Sequence, residues 1–121
     1  MMYSGVDLVK IGRIKKAMEN PRFLEKYFGA DERAELEKKN FKTESVAACF
    51  AAKEAFSKVV KTGLSGFSLC DVQLLHEENG APYLNLSGKA RRIADEKGLT
   101  LSVSISHTDS LAMAFVIGFN E

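Results

Sequence analysis

Asp7 and Glu54 carry the greatest chemical potential in this chain, because each places a carboxylate among apolar neighbours. Asp7 interrupts the face Tyr3, Gly5, Asp7, Val9, Ile11 of a predicted first strand. A carboxylate on an inward face needs a counter-charge or a metal to offset its desolvation. Glu54 lies within Phe50-Ala51-Ala52-Lys53-Glu54-Ala55-Phe56-Ser57-Lys58, where helical spacing sets Phe50, Glu54, Ser57, Lys58 and Lys61 along one stripe. If the two carboxylates converge they form one side of a divalent-cation site, with nearby lysines holding the other side of a polyphosphate. The loop Lys61-Thr62-Gly63-Leu64-Ser65-Gly66 adds backbone amides and hydroxyls close to those lysines. Each feature also has a plain structural explanation. Asp7 is then a strand-end acid capping the next helix, Glu54 an i,i+4 partner of Lys58, and Gly63 a helix C-cap. Spacing alone leaves both explanations open.

Two further clusters stand out. His107 sits beside Ser106, Thr108 and Asp109 at the predicted tip of the last hairpin, a composition that serves a turn or an anion contact. There is no G-x-S-x-G sequence, so no nucleophile elbow accompanies the histidine. From Lys10 to Arg22, Lys10, Arg13, Lys15, Lys16 and Arg22 face Glu19 alone, a local +4 in a chain of net charge +1. That patch is a solvated helix surface or a docking face for an acidic partner.

The elements that must position these groups follow from periodicity. A strand is expected over 3–11 and a helix over 12–20, with Ile14, Ala17 and Met18 inward and Pro21 as a stop. A short helix after Asn20 buries Phe23, Tyr27 and Phe28, and a third, capped by Asp31, is anchored by Ala34 and Leu36. The strongest helix signal runs over 44–62, with Thr43 or Ser45 as cap and Gly63 as the left-handed C-terminal residue. Strands over 69–76 and 83–86 flank Asn79-Gly80, a helix covers 87–97, and a last hairpin returns through 111–119 as a strand buried on both faces. This order predicts an α+β fold with a largely antiparallel sheet, forming a single domain over 1–121.

Composition narrows the function classes. At 121 residues, 45% hydrophobic and 27% charged, one globular core is expected. Near-neutral charge removes the basic excess of a phosphate-held nucleic-acid binder, and the phenylalanines fall in core positions rather than as stacking platforms. The longest apolar run is far below the roughly 20 residues a membrane helix needs. No basic and apolar leader opens the chain, and Cys49 and Cys70 show no disulfide or zinc spacing, which predicts a cytoplasmic protein with reduced thiols.

Gly5-Val6-Asp7-Leu8-Val9, the block Phe50 to Lys58, Asn79-Gly80-Ala81-Pro82-Tyr83 and Ser104-Ile105-Ser106-His107-Thr108 together resemble the holo-(acyl carrier protein) synthase family, the small 4′-phosphopantetheinyl transferases, over nearly the full length. The resemblance implies transfer of the phosphopantetheine arm of coenzyme A to a serine of apo acyl carrier protein, releasing adenosine 3′,5′-bisphosphate, in fatty acid biosynthesis. It implies Mg2+ held by Asp7 and Glu54, catalytic roles for Glu54 and Lys58, and coenzyme contacts from Lys53, Lys58, Gly63 and His107. It further implies carrier-protein docking on Arg13, Lys15 and Lys16, and a homotrimer with coenzyme A in the subunit clefts. Two positions depart from the family pattern: Cys49 stands where Arg is usual, and Lys61 where the turn usually begins with Gly. The competing reading is a non-catalytic binding module whose basic helix docks an acidic protein, independent of magnesium and coenzyme A.

Overall fold

The computed structural model describes residues 1–121. It contains β1 (Met2–Lys10), α1 (Ile11–Ala17), α2 (Arg22–Tyr27), α3 (Ala30–Lys38), α4 (Thr43–Val60), β2 (Val72–His76), β3 (Pro82–Leu86), α5 (Gly88–Glu96), β4 (Thr100–His107) and β5 (Leu111–Phe119). One sheet has the order β1-β5-β4 and the other pairs β2 with β3, every pairing antiparallel. The α+β expectation holds.

α4 lies across the three-stranded sheet and forms the centre of the core. Val46, Ala47, Ala51, Ala52, Ala55, Phe56 and Val59 are all at most 1% exposed. The many alanines have a purpose: small side chains let the helix backbone approach the sheet closely. The register sets Tyr3, Gly5, Asp7 and Val9 on the face toward α4, opposite Gly118, Val116, Ala114 and Ala112. The alternation read in β1 is therefore the one the fold uses.

Several local expectations are corrected. The left-handed residue ending α4 is Lys61 (φ 61°, ψ 29°), because the helix stops at Val60. Gly63 is needed two residues later, at φ 65° and ψ −176°, where a side chain is not tolerated. α3 is capped at Gly29, whose N–H donates to Glu32 Oε1 at 3.0 Å; Asp31 lies in the first turn, and Ala34 is exposed. Phe28 is buried, whereas Phe23 and Tyr27 are only half-buried. α4 starts at Thr43 behind Lys42, without a side-chain cap. The β2–β3 connection is a wider loop than a two-residue Asn-Gly turn, since His76 pairs with Pro82. β5 is buried on one face only: Ala112, Ala114, Val116 and Gly118 are covered by α4, while Phe115 and Phe119 remain 37% and 41% exposed. Its apolar run marks one core face and one apolar surface.

Lys61 in the left-handed region carries a cost of about 1 kcal/mol that glycine avoids. Its ammonium lies 5.6 Å from the Tyr3 ring centroid, an exposed contact too weak to offset that cost fully. Lys61→Gly is expected to raise stability by about 0.5 kcal/mol. Urea unfolding should show a higher midpoint at an unchanged slope, and a lower midpoint would contradict the assignment.

Candidate active site

β1 and α4 bring Asp7, Glu54 and Lys58 together. Asp7 is the inward acid of β1, its side chain only 11% exposed, with Oδ1 3.3 Å from Lys58 Nζ. Its second oxygen, Oδ2, is buried without a hydrogen-bond partner. Glu54 is half-buried on the neighbouring helix. Burial first, and then the charge of Asp7, pushes its carboxyl above the ordinary range, while Arg13 and Lys58 pull the other way. Lys58 Nζ also donates to the Val6 carbonyl at 2.7 Å, which fixes the ammonium at the mouth of the pair while leaving its side chain 54% exposed.

Two adjacent carboxylates, one with an orphaned oxygen, are poised for a hard cation. Nowhere in the chain do three or more His, Cys, Asp or Glu side chains come together as a metal cage. A two-carboxylate set suits Mg2+, which keeps several waters and takes phosphate oxygens as its other ligands. The residues therefore fit that ion.

The remaining predicted residues separate into two groups. Arg13 is exposed on α1 yet close enough to Glu54 to stabilise its charged form, so α1 borders the site. Lys15 and Lys16 are exposed on the same helix, and Gly63 lies in the loop after α4. Lys53 is elsewhere. Fully buried, its ammonium forms an ion pair with the equally buried Glu32 and donates to the carbonyls of Val72 at 2.6 Å and Leu69 at 3.1 Å. Glu32 in turn accepts from the N–H groups of Gly29 and Leu74, each at 3.0 Å. All of this holds α3, α4 and β2 together, and no donor of Lys53 is left for a coenzyme. The expected coenzyme contact at Lys53 is thus replaced by a structural role.

His107 is also apart from the carboxylates. It ends β4, where the register places Ala114 between Asp7 and Ile105, so two inter-strand steps of about 4.8 Å intervene. His107 instead lines a cavity of about 120 Å³ with Cys49, Glu35, His76 and Ile105. Cys49, buried there, has its thiol pushed upward by desolvation and by the nearby Glu32 carboxylate. Sequence reasoning missed three partners: Arg13 at Glu54, the Glu32–Lys53 pair, and Glu35, which accepts from the His76 N–H at 3.2 Å and meets its ring Nδ1 at 3.0 Å. Only the basic character of α1 hinted at the first.

The model of the 4′-phosphopantetheinyl transferase superfamily matches residues 4–116. The chain belongs to that superfamily. The holo-[acyl-carrier-protein] synthase of Thermoanaerobacter sp. (strain X514) is 44% identical over 118 residues, covering 96% of this chain and 86% of that protein. Helicobacter pylori holo-[acyl-carrier-protein] synthase in complex with coenzyme A superposes with a TM-score of 0.82 at 32% identity, covering 96% of this chain and 99% of that one. The Neisseria meningitidis synthase gives 0.89 at 26% identity, covering 98% of each chain. The transferase fold expected from the motifs is therefore the fold observed.

Proposed function

We propose that this chain transfers the 4′-phosphopantetheine group of coenzyme A to a serine of apo acyl carrier protein, the reaction that prepares the carrier for fatty acid synthesis, in the cytoplasm. The observation that carries the reading is the meeting of Asp7, Glu54 and Lys58 at one end of the β1–α4 contact, in a chain of this superfamily. Asp7 and Glu54 are the ligands for Mg2+, which when bound neutralises diphosphate charge. Lys58 spends two of its three donors on Val6 and Asp7, and the third is available to a diphosphate oxygen at the exposed side. Gly63 lets the loop backbone come close to the same group.

Phosphoryl transfer demands positioning and charge neutralisation above all. The serine oxygen forms a bond to the β-phosphorus of coenzyme A, the bridging P–O bond to the α-phosphate breaks, and adenosine 3′,5′-bisphosphate leaves. The serine proton goes to Glu54, the half-buried carboxylate beside Asp7.

Two observations favour the homotrimer with clefts shared between copies. The sheet face turned away from α4 exposes Val6, Leu8 and Phe115 by 48%, 60% and 37%, an apolar surface suited to a partner. His107 lines a cavity away from Asp7 within one chain, an arrangement that a cleft shared with a second copy would account for.

The carrier protein docks on Arg13, Lys15 and Lys16 beside the carboxylates. Acyl carrier proteins are acidic, so Arg13→Glu is expected to weaken carrier affinity about tenfold or more at low salt, with the gap narrowing as salt rises. Calorimetry across an ionic-strength series checks this. Equal affinities throughout would contradict docking at α1. Transfer to the carrier serine that a chelator stops is the outcome that tests the whole reading.

A further inference from the structure

Gly5 sits where β1 passes close against the backbone of α4. A Cβ placed on it would lie 2.1 Å from the Ala55 carbonyl oxygen and 3.0 Å from Lys58 Cβ. Unlike Gly63, Gly80, Gly88 and Gly98, Gly5 has no positive φ, so its backbone accepts alanine and space alone forbids it. The obstructing atom is helix backbone and cannot swing aside as a side-chain tip can. To reach even 3.0 Å, strand and helix must separate.

We infer that Gly5 is a positioning residue that sets the distance between the Asp7 and Glu54 carboxylates. The inference rests on the metal-pair reading of those two acids. Asp7 lies two residues on from Gly5 and on the same face of β1, and Ala55 directly follows Glu54. The same separation lengthens the reach of Lys58 Nζ to the Val6 carbonyl, now 2.7 Å. A displacement approaching 1 Å is enough to cost about a hundredfold in a positioned reaction.

Gly118 provides the matched control. It faces the same helix from β5, and a Cβ there would lie 2.8 Å from Val59 Cγ1, a crowding that stays away from the carboxylates. The experiment titrates Mn2+, as a divalent probe, into the full-length protein with coenzyme A present, following free Mn2+ by electron paramagnetic resonance. Thermal unfolding and kcat/KM are measured in parallel. Gly5→Ala is expected to raise the Mn2+ dissociation constant at least about tenfold and to lower kcat/KM by about 10²-fold. Gly118→Ala is expected to keep Mn2+ binding within twofold while losing a similar amount of Tm, on the order of 5–15 °C for each variant.

Parental Mn2+ affinity in Gly5→Ala, or equal loss in Gly118→Ala, overturns the inference. Asp7→Asn separates that failure from failure of the metal pair: Mn2+ binding indifferent to Asp7→Asn removes the pair itself and the inference with it. If Gly5→Ala does not fold, it is remade with Lys61→Gly. A chain that still does not fold, while Gly118→Ala does, makes Gly5 a requirement of the fold and also overturns the assignment.

Discussion

Asp7→Asn is expected to lower carrier-protein modification by about 10²–10³-fold while leaving the metal-free protein as stable as its parent, or more so. The two effects have one cause. Asp7 Oδ2 is buried without a partner, and its charge adds to burial in holding Glu54 above the ordinary carboxyl range. An arrangement that disfavours the empty site is one that favours a cation. Asparagine keeps the shape, removes the like-charge repulsion and loses the ligand. The pH dependence follows with a definite sign. Because the folded-state Glu54 titrates above its unfolded value, the folded chain holds more protons there, and metal-free stability falls as pH rises through that titration. Asp7→Asn should flatten this fall. Metal affinity runs the other way, weakening on acidification as Glu54 protonates. Thermal unfolding across pH without metal, beside a turnover assay, checks both. A variant with full turnover, or one clearly less stable than the parent without metal, would contradict the site.

Lys53→Met should cost about 3–5 kcal/mol of stability and leave the KM for coenzyme A unchanged wherever the protein remains folded. Lys53 and Glu32 are both fully buried, and removing the ammonium leaves a carboxylate whose remaining partners are the Gly29 and Leu74 N–H groups. It also frees the Val72 and Leu69 carbonyls and the contact of the ammonium with the Phe28 ring at 5.1 Å. The replacement of both partners by apolar residues should recover much of the loss, since a matched apolar pair avoids the uncompensated charge. Denaturant unfolding gives the first quantity and initial-rate kinetics at low temperature the second. A raised KM in a protein of parental stability would return Lys53 to the coenzyme site.

The contrast between Lys53 and Glu54 shows what sequence can reveal about this fold. Both sit in one motif: the alternation in β1 sets Asp7 inward and the helical stripe of α4 sets Glu54 beside Lys58, while the meeting of the two elements is a tertiary fact that spacing does not encode. Helical spacing also says that Lys53 points elsewhere, but its partners are a glutamate 21 residues away and two carbonyls that lead into β2, contacts that no local period encodes. The end of α4 differs from the expectation too: Gly63 is the obvious terminator, yet the helix stops at Val60 with Lys61 as its left-handed residue. For β5, an unbroken apolar run does not distinguish a doubly buried strand from one with a core face and an exposed apolar face. His107, expected in the turn at the hairpin tip, is the last residue of β4, and its distance from Asp7 depends on strand order, with β5 inserted between β1 and β4.

The most direct test of the central claim is the intact mass of an apo acyl carrier protein after incubation with this chain, coenzyme A and Mg2+, with a parallel sample in EDTA. The carrier is expected to gain the mass of one phosphopantetheinyl group, and EDTA is expected to prevent the gain. No gain from folded enzyme, with a carrier that another transferase modifies, would contradict the proposed reaction; an equal gain in EDTA would remove the metal from Asp7 and Glu54.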